Sequence, residues 1–157
     1  MTQSVEHTTD RLDRTILKIL AEDPRMPYSD IADRLLEEDY EMSAEGVRKR
    51  VTRLLDITSP FFLLEPQEHD WEIVRIAIWA ADEHGAKDDA HATISEMPFW
   101  LVCNGIGTYD IYAVASVPSN AEIDDLVRQV RELDSVADLE FTIETGRDTN
   151  VDNYLLP

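Results

Sequence analysis

The basic side chains of this acidic chain are concentrated in one short segment, Ser43–Leu55. It carries four basic residues and one acidic residue, whereas the whole chain of 157 residues carries 14 basic and 33 acidic residues and a net charge of −19. Arginine and lysine at helical spacing can donate hydrogen bonds to phosphate oxygens and to base edges. The segment is therefore a candidate for contact with double-stranded DNA. Its candidate contact residues are Ser43, Glu45, Arg48, Lys49, Arg50 and Arg53.

Each candidate has a distinct chemistry. Ser43 is expected to cap a helix, and a hydroxyl beside free helix amides suits a phosphate. Glu45 can accept a hydrogen bond from a cytosine amino group. Lys49 and Arg53 are four residues apart, and we expect them to point outward on one face. A basic helix face is more often merely solvated, so this interpretation depends on the neighbouring helices.

The N-terminal part predicts three short amphipathic helices. The first starts near Asp10 and ends before Pro24, because proline disfavours helix in the residue preceding it. We expect Ser29 to cap the second helix and Ser43 the third. The apolar positions, spaced three and four residues apart, are Leu12, Ile16, Ile19, Leu20; Ile31, Ala32, Leu35, Leu36; and Val47, Val51, Leu54, Leu55. Three such helices in succession are typical of a helix-turn-helix.

The second half alternates strand and helix patterns. Strands are expected at Trp71–Ala80, Trp100–Asn104, Asp110–Val117 and Val136–Thr145, and helices at Asp88–Glu96 and Ala121–Leu133. The order βαββαβ is that of the ferredoxin-like module. We therefore expect an α+β protein with a helix-turn-helix domain at 1–60, a linker with a short strand at 61–70, and a ferredoxin-like dimerisation and ligand-sensing domain at 71–157.

The first and third strands are apolar on both faces. Two helices can cover only one side of the sheet, so the other side needs a partner. A second copy of the chain is the economical choice and gives a two-fold homodimer, from which tetramers or octamers can be built. Trp79 and Tyr112 are expected on the uncovered face.

Four segments resemble the Lrp/AsnC, or feast/famine, family of prokaryotic regulators. They are Leu12–Leu17, Asp23–Ala32, Ser43–Val51 and Gly107–Asp110. The resemblance implies a DNA-binding transcriptional regulator, with an amino acid or other small effector bound at the dimer interface. The residues that the resemblance points to are Gly105, Gly107, Thr108, Tyr109 and Asp110. The other reading of this segment is a tight turn, in which glycine permits positive φ and Asp110 accepts backbone hydrogen bonds.

Three segments depart from the family pattern. The connector between the second and third helices, Glu37–Met42, is several residues longer than the usual tight turn. Asp56–Ser59 stands where the family has Gly-Val-Ile at the start of a wing, and Asp134-Ser135-Val136 replaces Pro-Gly-Val before the last strand. The wing is reduced, on this reading, to the apolar stretch Phe61–Leu64.

The composition resembles that of proteins adapted to high salt. Only three of the 14 basic residues are lysine, and the acidic excess resembles proteins of salt-loving, haloarchaeal-like organisms. At molar salt the Debye length is about 3 Å, which screens repulsion between an acidic body and DNA. The polar N-terminus and the short apolar runs predict a cytoplasmic protein without a membrane segment.

No catalytic, metal-binding or cofactor-binding motif stands out. The chain has one cysteine, Cys103, and its four histidines have no metal-ligand spacing, so we expect neither a metal site nor a cofactor. Two alternatives to a DNA-binding regulator stay open. One is a sensor or partner subunit that does not bind DNA, which the acidity permits. The other, less favoured, is an enzyme of the haem-pathway decarboxylase type that shares this two-domain fold.

Overall fold

A computed structural model describes residues 9–62 and 70–155, which fall into two units. Within these residues the first unit, called the head, comprises 9–62 and 148–155, and the second, called the sheet domain, comprises 70–147. The strand predicted at Phe61–Leu64 is not formed at Phe61 and Phe62, which belong to no strand. The remainder of that prediction lies outside the described residues.

The three predicted helices of the head are α1 (Arg11–Glu22), α2 (Tyr28–Glu37) and α3 (Ala44–Ile57). One apolar stripe of each helix contributes to a common core, as amphipathic spacing requires. Its buried residues are Ile16, Ile19, Ile31, Leu35, Val47, Val51 and Leu54. Because α3 continues to Ile57, the first two residues of Asp56–Ser59, where the family pattern has the start of a wing, are helical.

The start of α2 differs from the prediction. Pro27, not Ser29, precedes the helix, and the Pro27 carbonyl accepts hydrogen bonds from the amides of Asp30 and Ile31 at 3.0 Å each. Ser29 lies in the first turn, where its hydroxyl donates to Asp30 Oδ1 at 3.0 Å. Proline fixes a backbone angle that suits a helix start, so no side-chain cap is needed.

The long connector between α2 and α3 is packed against the head. Asp39 adopts a positive φ of 64°, which ends α2, and the Tyr40 amide donates to the Leu35 carbonyl at 2.9 Å. Tyr40 and Met42 are half-buried against the core. A Cβ at Gly46 would lie 3.0 Å from Met42 Cγ, so a larger residue here would require the Met42 side chain to shift.

The sheet domain has the predicted βαββαβ order. Its elements are β1 (Glu72–Ala80), α4 (Ala86–Ser95), β2 (Leu101–Asn104), β3 (Ile111–Val117), α5 (Asn120–Arg131) and β4 (Val136–Ile143). The strands form one antiparallel sheet in the order β2-β3-β1-β4, with α4 and α5 packed into its core. The ferredoxin-like fold is thus confirmed.

The strand register separates the two faces of the sheet. Val74, Ile76 and Ile78 are fully buried in the core with the helices. Ala77 pairs with Tyr112 on the opposite face, called the open face, which also carries Trp79. Trp79 and Tyr112 are half-buried in the single chain. This face is less apolar than expected, because Arg75 lies on it and donates to Tyr112 Oη at 2.8 Å and to Glu144 Oε2.

The last described residues return to the head. A short helix, α6 (Val151–Tyr154), contacts α1, and Lys18 Nζ lies 3.3 Å from Asp152 Oδ1. Asn150 caps α6 by accepting a hydrogen bond from the Asn153 amide at 3.2 Å. The predicted second domain, 71–157, therefore ends earlier in the structure, at Arg147. The sequence prediction missed this because four helical residues give no readable period.

Candidate DNA-binding and effector sites

The outer face of α3 is built around Ser43. The Ser43 side chain accepts a hydrogen bond from the Gly46 amide at 3.2 Å, which fixes the start of the helix. From there Glu45, Arg48, Lys49 and Thr52 recur at spacings of three and four and are all exposed. They form one stripe, here called the outer stripe, on the side of α3 away from the buried Val47 and Val51.

Charges within the outer stripe are partly paired. Arg48 donates to both carboxylate oxygens of Glu45, from Nε at 2.8 Å and from Nη2 at 2.7 Å. This hydrogen bonding lowers the pKa of Glu45 below its ordinary value. Lys49 Nζ is 4.0 Å from Glu45 Oε1, and its side chain is 72% exposed. Lys49 is thus the most available cation of the stripe, whereas Arg48 must leave Glu45 to bind another anion.

Arg50 and Arg53 belong to a different arrangement. Arg50 Nη1 donates to Asp13 Oδ1 at 2.7 Å, and Arg53 Nη2 donates to Asp13 Oδ2. The Asp13 side chain is only 1% exposed, while those of Arg50 and Arg53 are 29% and 44% exposed. The two arginines therefore join α3 to α1. The expectation that Arg53 points outward with Lys49 needs correction, because its guanidinium is held by a buried carboxylate.

Asp10 completes this group, here called the Asp13 cluster. Its side chain accepts from the Asp13 amide at 2.7 Å, and the Asp13 side chain accepts from the Asp10 amide at 3.2 Å, a reciprocal cap at the start of α1. Burial acts to raise the pKa of Asp10, but hydrogen bonds from Arg50 and from the Asp13 amide lower it overall. Sequence reasoning missed the cluster, although two aspartates three residues apart before an apolar run were an available signal.

The candidate effector segment forms a tight turn. The Gly105 amide donates to the Asp110 carbonyl at 2.7 Å, and the Ala80 amide donates to Asp110 Oδ2 at 3.0 Å. Gly107 has a φ of 147°, and a Cβ on Gly105 would lie 3.2 Å from the Tyr109 carbonyl oxygen. The structural reading of this turn is thus satisfied by backbone geometry and by one carboxylate oxygen.

Side chains from elsewhere surround the turn. Lys87 of α4 donates to the Gly105 carbonyl and lies 3.7 Å from Asp110 Oδ1. The Tyr109 ring contacts Trp79 and Tyr112, with ring centroids 6.4 and 6.0 Å apart. Thr108 is exposed. No local sequence pattern pointed to Lys87, because it lies 18 residues before Gly105.

Among residues 9–62 and 70–155, no three His, Cys, Asp or Glu side chains are grouped so that they can hold a metal ion. None of the helices within these ranges has the length and apolar character needed to cross a membrane.

Comparison with known proteins identifies the family. A family model described as the AsnC-type helix-turn-helix domain matches residues 10–55, which span α1 to α3. An uncharacterised HTH-type transcriptional regulator of Pyrococcus horikoshii is 30% identical over 143 residues, covering 87% of this chain and 86% of that protein. The chain belongs to the Lrp/AsnC family. A Pyrococcus abyssi regulator of the same description matches with the same identity and coverage.

Solved structures share the fold of this Lrp/AsnC protein. Escherichia coli AsnC superposes with a TM-score of 0.68 at 19% identity, over 92% of this chain and 97% of AsnC. A Neisseria meningitidis transcriptional regulator, solved as a complex with L-Met, gives 0.72 at 19% identity, over 95% and 100% of the two chains. Both cover the head and the sheet domain.

Proposed function

We propose that this Lrp/AsnC protein is a sequence-specific DNA-binding transcriptional regulator that reads the major groove with the outer stripe of α3. The observation that carries the proposal is the stripe itself: a helix capped by Ser43 whose exposed face presents Glu45, Arg48, Lys49 and Thr52 opposite a buried face. A helix of this kind enters the major groove, where its first turns contact base edges.

The outer stripe and the Asp13 cluster have different roles in this proposal: the stripe contacts DNA, and the cluster positions α3. Ser43 and the free amides at the start of α3 face a phosphate, and Lys49 supplies a cation. The Glu45–Arg48 pair opens on binding, so that Arg48 donates to a guanine and Glu45 accepts from a cytosine amino group. Arg50 and Arg53 contribute by fixing the angle of α3 against α1, and contact DNA only at their exposed edges.

The proposed active form is a homodimer that pairs through the open face of the sheet domain. Trp79 and Tyr112 are half-buried there, and neither α4 nor α5 covers them. A two-fold dimer places two copies of α3 on half-sites one or more helical turns of DNA apart. Such dimers can also assemble into tetramers or octamers, because two-fold symmetry permits larger closed assemblies.

An amino-acid-like effector is proposed to act at the Gly105–Asp110 turn. The Neisseria relative with bound L-Met supports the ligand class. Asp110 Oδ2 is already bonded to the Ala80 amide, so a ligand ammonium competes with Lys87 for Oδ1. Thr108 and the Tyr109 ring supply the remaining polar and apolar contacts.

The acidic surface is proposed to be an adaptation to high salt. With a net charge of −19, repulsion within the chain and toward DNA is strong in dilute buffer. Molar salt shortens the range of this repulsion to about 3 Å. The close contacts of the outer stripe persist there.

A sensor subunit that does not bind DNA is the second candidate, because Glu45 neutralises part of the outer stripe. A gel shift against DNA from the protein's own upstream region, in rising KCl, separates the two. A saturable complex that is weakened in Lys49→Ala supports the regulator. The absence of any complex at every salt concentration supports the sensor.

A further inference from the structure

A cavity lined by four basic residues and by the three carboxylates of Glu22, Glu38 and Asp152 lies in the head, away from the outer stripe. Its volume is about 240 Å³, and it is lined by α1, α2 and the C-terminal residues Asp152 and Leu155. Four of the 14 basic residues of this acidic chain line it. They are Arg11, Arg14, Lys18 and Arg34.

Two of these cations are neutralised within the cavity. Arg34 Nη1 lies 2.8 Å from Glu22 Oε2, and Lys18 Nζ lies 3.3 Å from Asp152 Oδ1. Within the described residues, neither Arg11 nor Arg14 has a carboxylate at salt-bridge distance. Arg14 Nη1 donates to the Thr9 carbonyl at 2.9 Å.

Arg14 carries a second, independent indication of a ligand. Its Nε is buried, and in the part of the chain that the structure describes no hydrogen-bond acceptor reaches it. Buried donors without a partner are rare in folded proteins, since each loses its hydration without compensation. Because Nε itself has almost no accessible surface, an anion in the cavity can accept from it only if the Arg14 side chain turns toward the cavity.

Asp152 indicates the chemistry of the missing acceptor. Its side chain is 76% exposed and sits on the four-residue helix α6 near the end of the chain, yet it reaches back to Lys18. A carboxylate held there by one cation is an internal substitute for an anionic ligand. Because α6 is short, it can move when a stronger anion competes.

We infer that this cavity binds a small polyatomic anion that carries phosphate or carboxylate oxygens. Arg11 and Arg14 donate to it, and Lys18 joins them when Asp152 is displaced. A cavity of about 150 Å³ holds benzene, so a volume of about 240 Å³ is large enough for inorganic phosphate or a short dicarboxylate.

The position of the cavity favours a free anion over the DNA backbone. Arg11, Arg14 and Lys18 lie on one face of α1, since they are three and four residues apart. At about 100° per residue, these three side chains are turned roughly 100–160° from Asp13. Asp13 is the residue that holds α3. The inference does not depend on DNA binding.

The test uses the full chain and thermal unfolding at constant ionic strength. Potassium phosphate or potassium succinate replaces KCl in a millimolar titration, and equilibrium dialysis with labelled phosphate measures binding directly. We expect a saturable rise in Tm and one bound anion per chain. Arg14→Ala should weaken binding at least about tenfold, as expected for loss of a hydrogen bond to a charged group. Arg25→Ala, an exposed arginine outside the cavity lining, is the matched control and should bind as the wild type does.

Asp152→Asn is the second variant, which keeps the test decisive if Arg14→Ala does not fold. Removal of the internal carboxylate should tighten phosphate binding. A Tm that depends only on ionic strength overturns the inference. The inference is also overturned if Arg14→Ala, or Asp152→Asn, binds phosphate with the same affinity as the wild type. The inference is also wrong if Arg11→Ala weakens DNA binding while free phosphate gives no saturable effect, because the cavity is then a DNA contact.

Discussion

Replacement of Arg53 by alanine is expected to destabilise the head, whereas replacement of Lys49 is not. Arg53 hydrogen-bonds to Asp13, whose side chain is 1% exposed, while Lys49 is 72% exposed and only 4.0 Å from its nearest carboxylate oxygen. A hydrogen bond to a charged group contributes about 1.5–3 kcal/mol. Arg53 is 44% exposed and Asp13 keeps Arg50, so solvent screening reduces the loss to about 1–2 kcal/mol.

The size of the effect is measurable by circular dichroism. For a unit of this size, about 1 kcal/mol lowers the Tm by roughly 4–8 °C. Arg53→Ala should therefore lower the Tm of the head by about 5–15 °C, and Lys49→Ala should leave it within about 0.5 kcal/mol of the wild type. DNA affinity, measured well below the Tm, should fall in Lys49→Ala. Equal Tm values for all three proteins, together with a loss of DNA binding in Arg53→Ala, would show that Arg53 acts on DNA and not on Asp13.

Three further predictions concern the dimer, salt and acid. Trp79→Glu should shift sedimentation from dimer to monomer, because it places an unpaired carboxylate in the interface; an unchanged dimer contradicts the open-face proposal. The wild-type Tm should rise between dilute buffer and molar KCl as self-repulsion is screened. A flat or falling Tm would show that the acidic surface is not an adaptation to high salt. Because the pKa of Asp10 is lowered in the folded chain, its contribution to stability is present above its ordinary value of 3.8 and is lost as the pH falls through the lower, folded value. The free energy of unfolding of Asp10→Asn should lack this pH-dependent contribution. Urea titrations that give the same pH dependence for Asp10→Asn and for the wild type would exclude it.

The helices and strands followed from the sequence because their signals are local. Apolar spacing of three and four predicted α1 to α3 and α5, and short runs that are apolar on both faces predicted β1 and β3. Even the start of α3 at Ser43 was readable, since a cap precedes its helix directly. The start of α2 was not, because both Pro27 and Ser29 are reasonable starts and only the backbone bonds to Pro27 separate them.

The parts that sequence could not supply depend on pairs distant along the chain. Arg53 and Asp13 are 40 residues apart, so the spacing on α3 alone made Arg53 look equivalent to Lys49. Glu144 directly follows β4, and no local signal indicates that its side chain is only 6% exposed, because its partner Arg75 lies 69 residues earlier. The return of α6 to α1 has the same origin.

The central claim is that the outer stripe of α3 reads a DNA sequence. Fluorescence anisotropy with labelled DNA from the upstream region, against a scrambled duplex and over a range of KCl concentrations, tests it most directly. We expect saturable binding that is at least about 10³-fold tighter to the specific duplex. Lys49→Ala should weaken binding to both duplexes and reduce the salt slope by about 1, whereas Arg128→Ala on α5 should not. Equal affinity for the two duplexes, or a Lys49→Ala protein that binds as the wild type does, would contradict it.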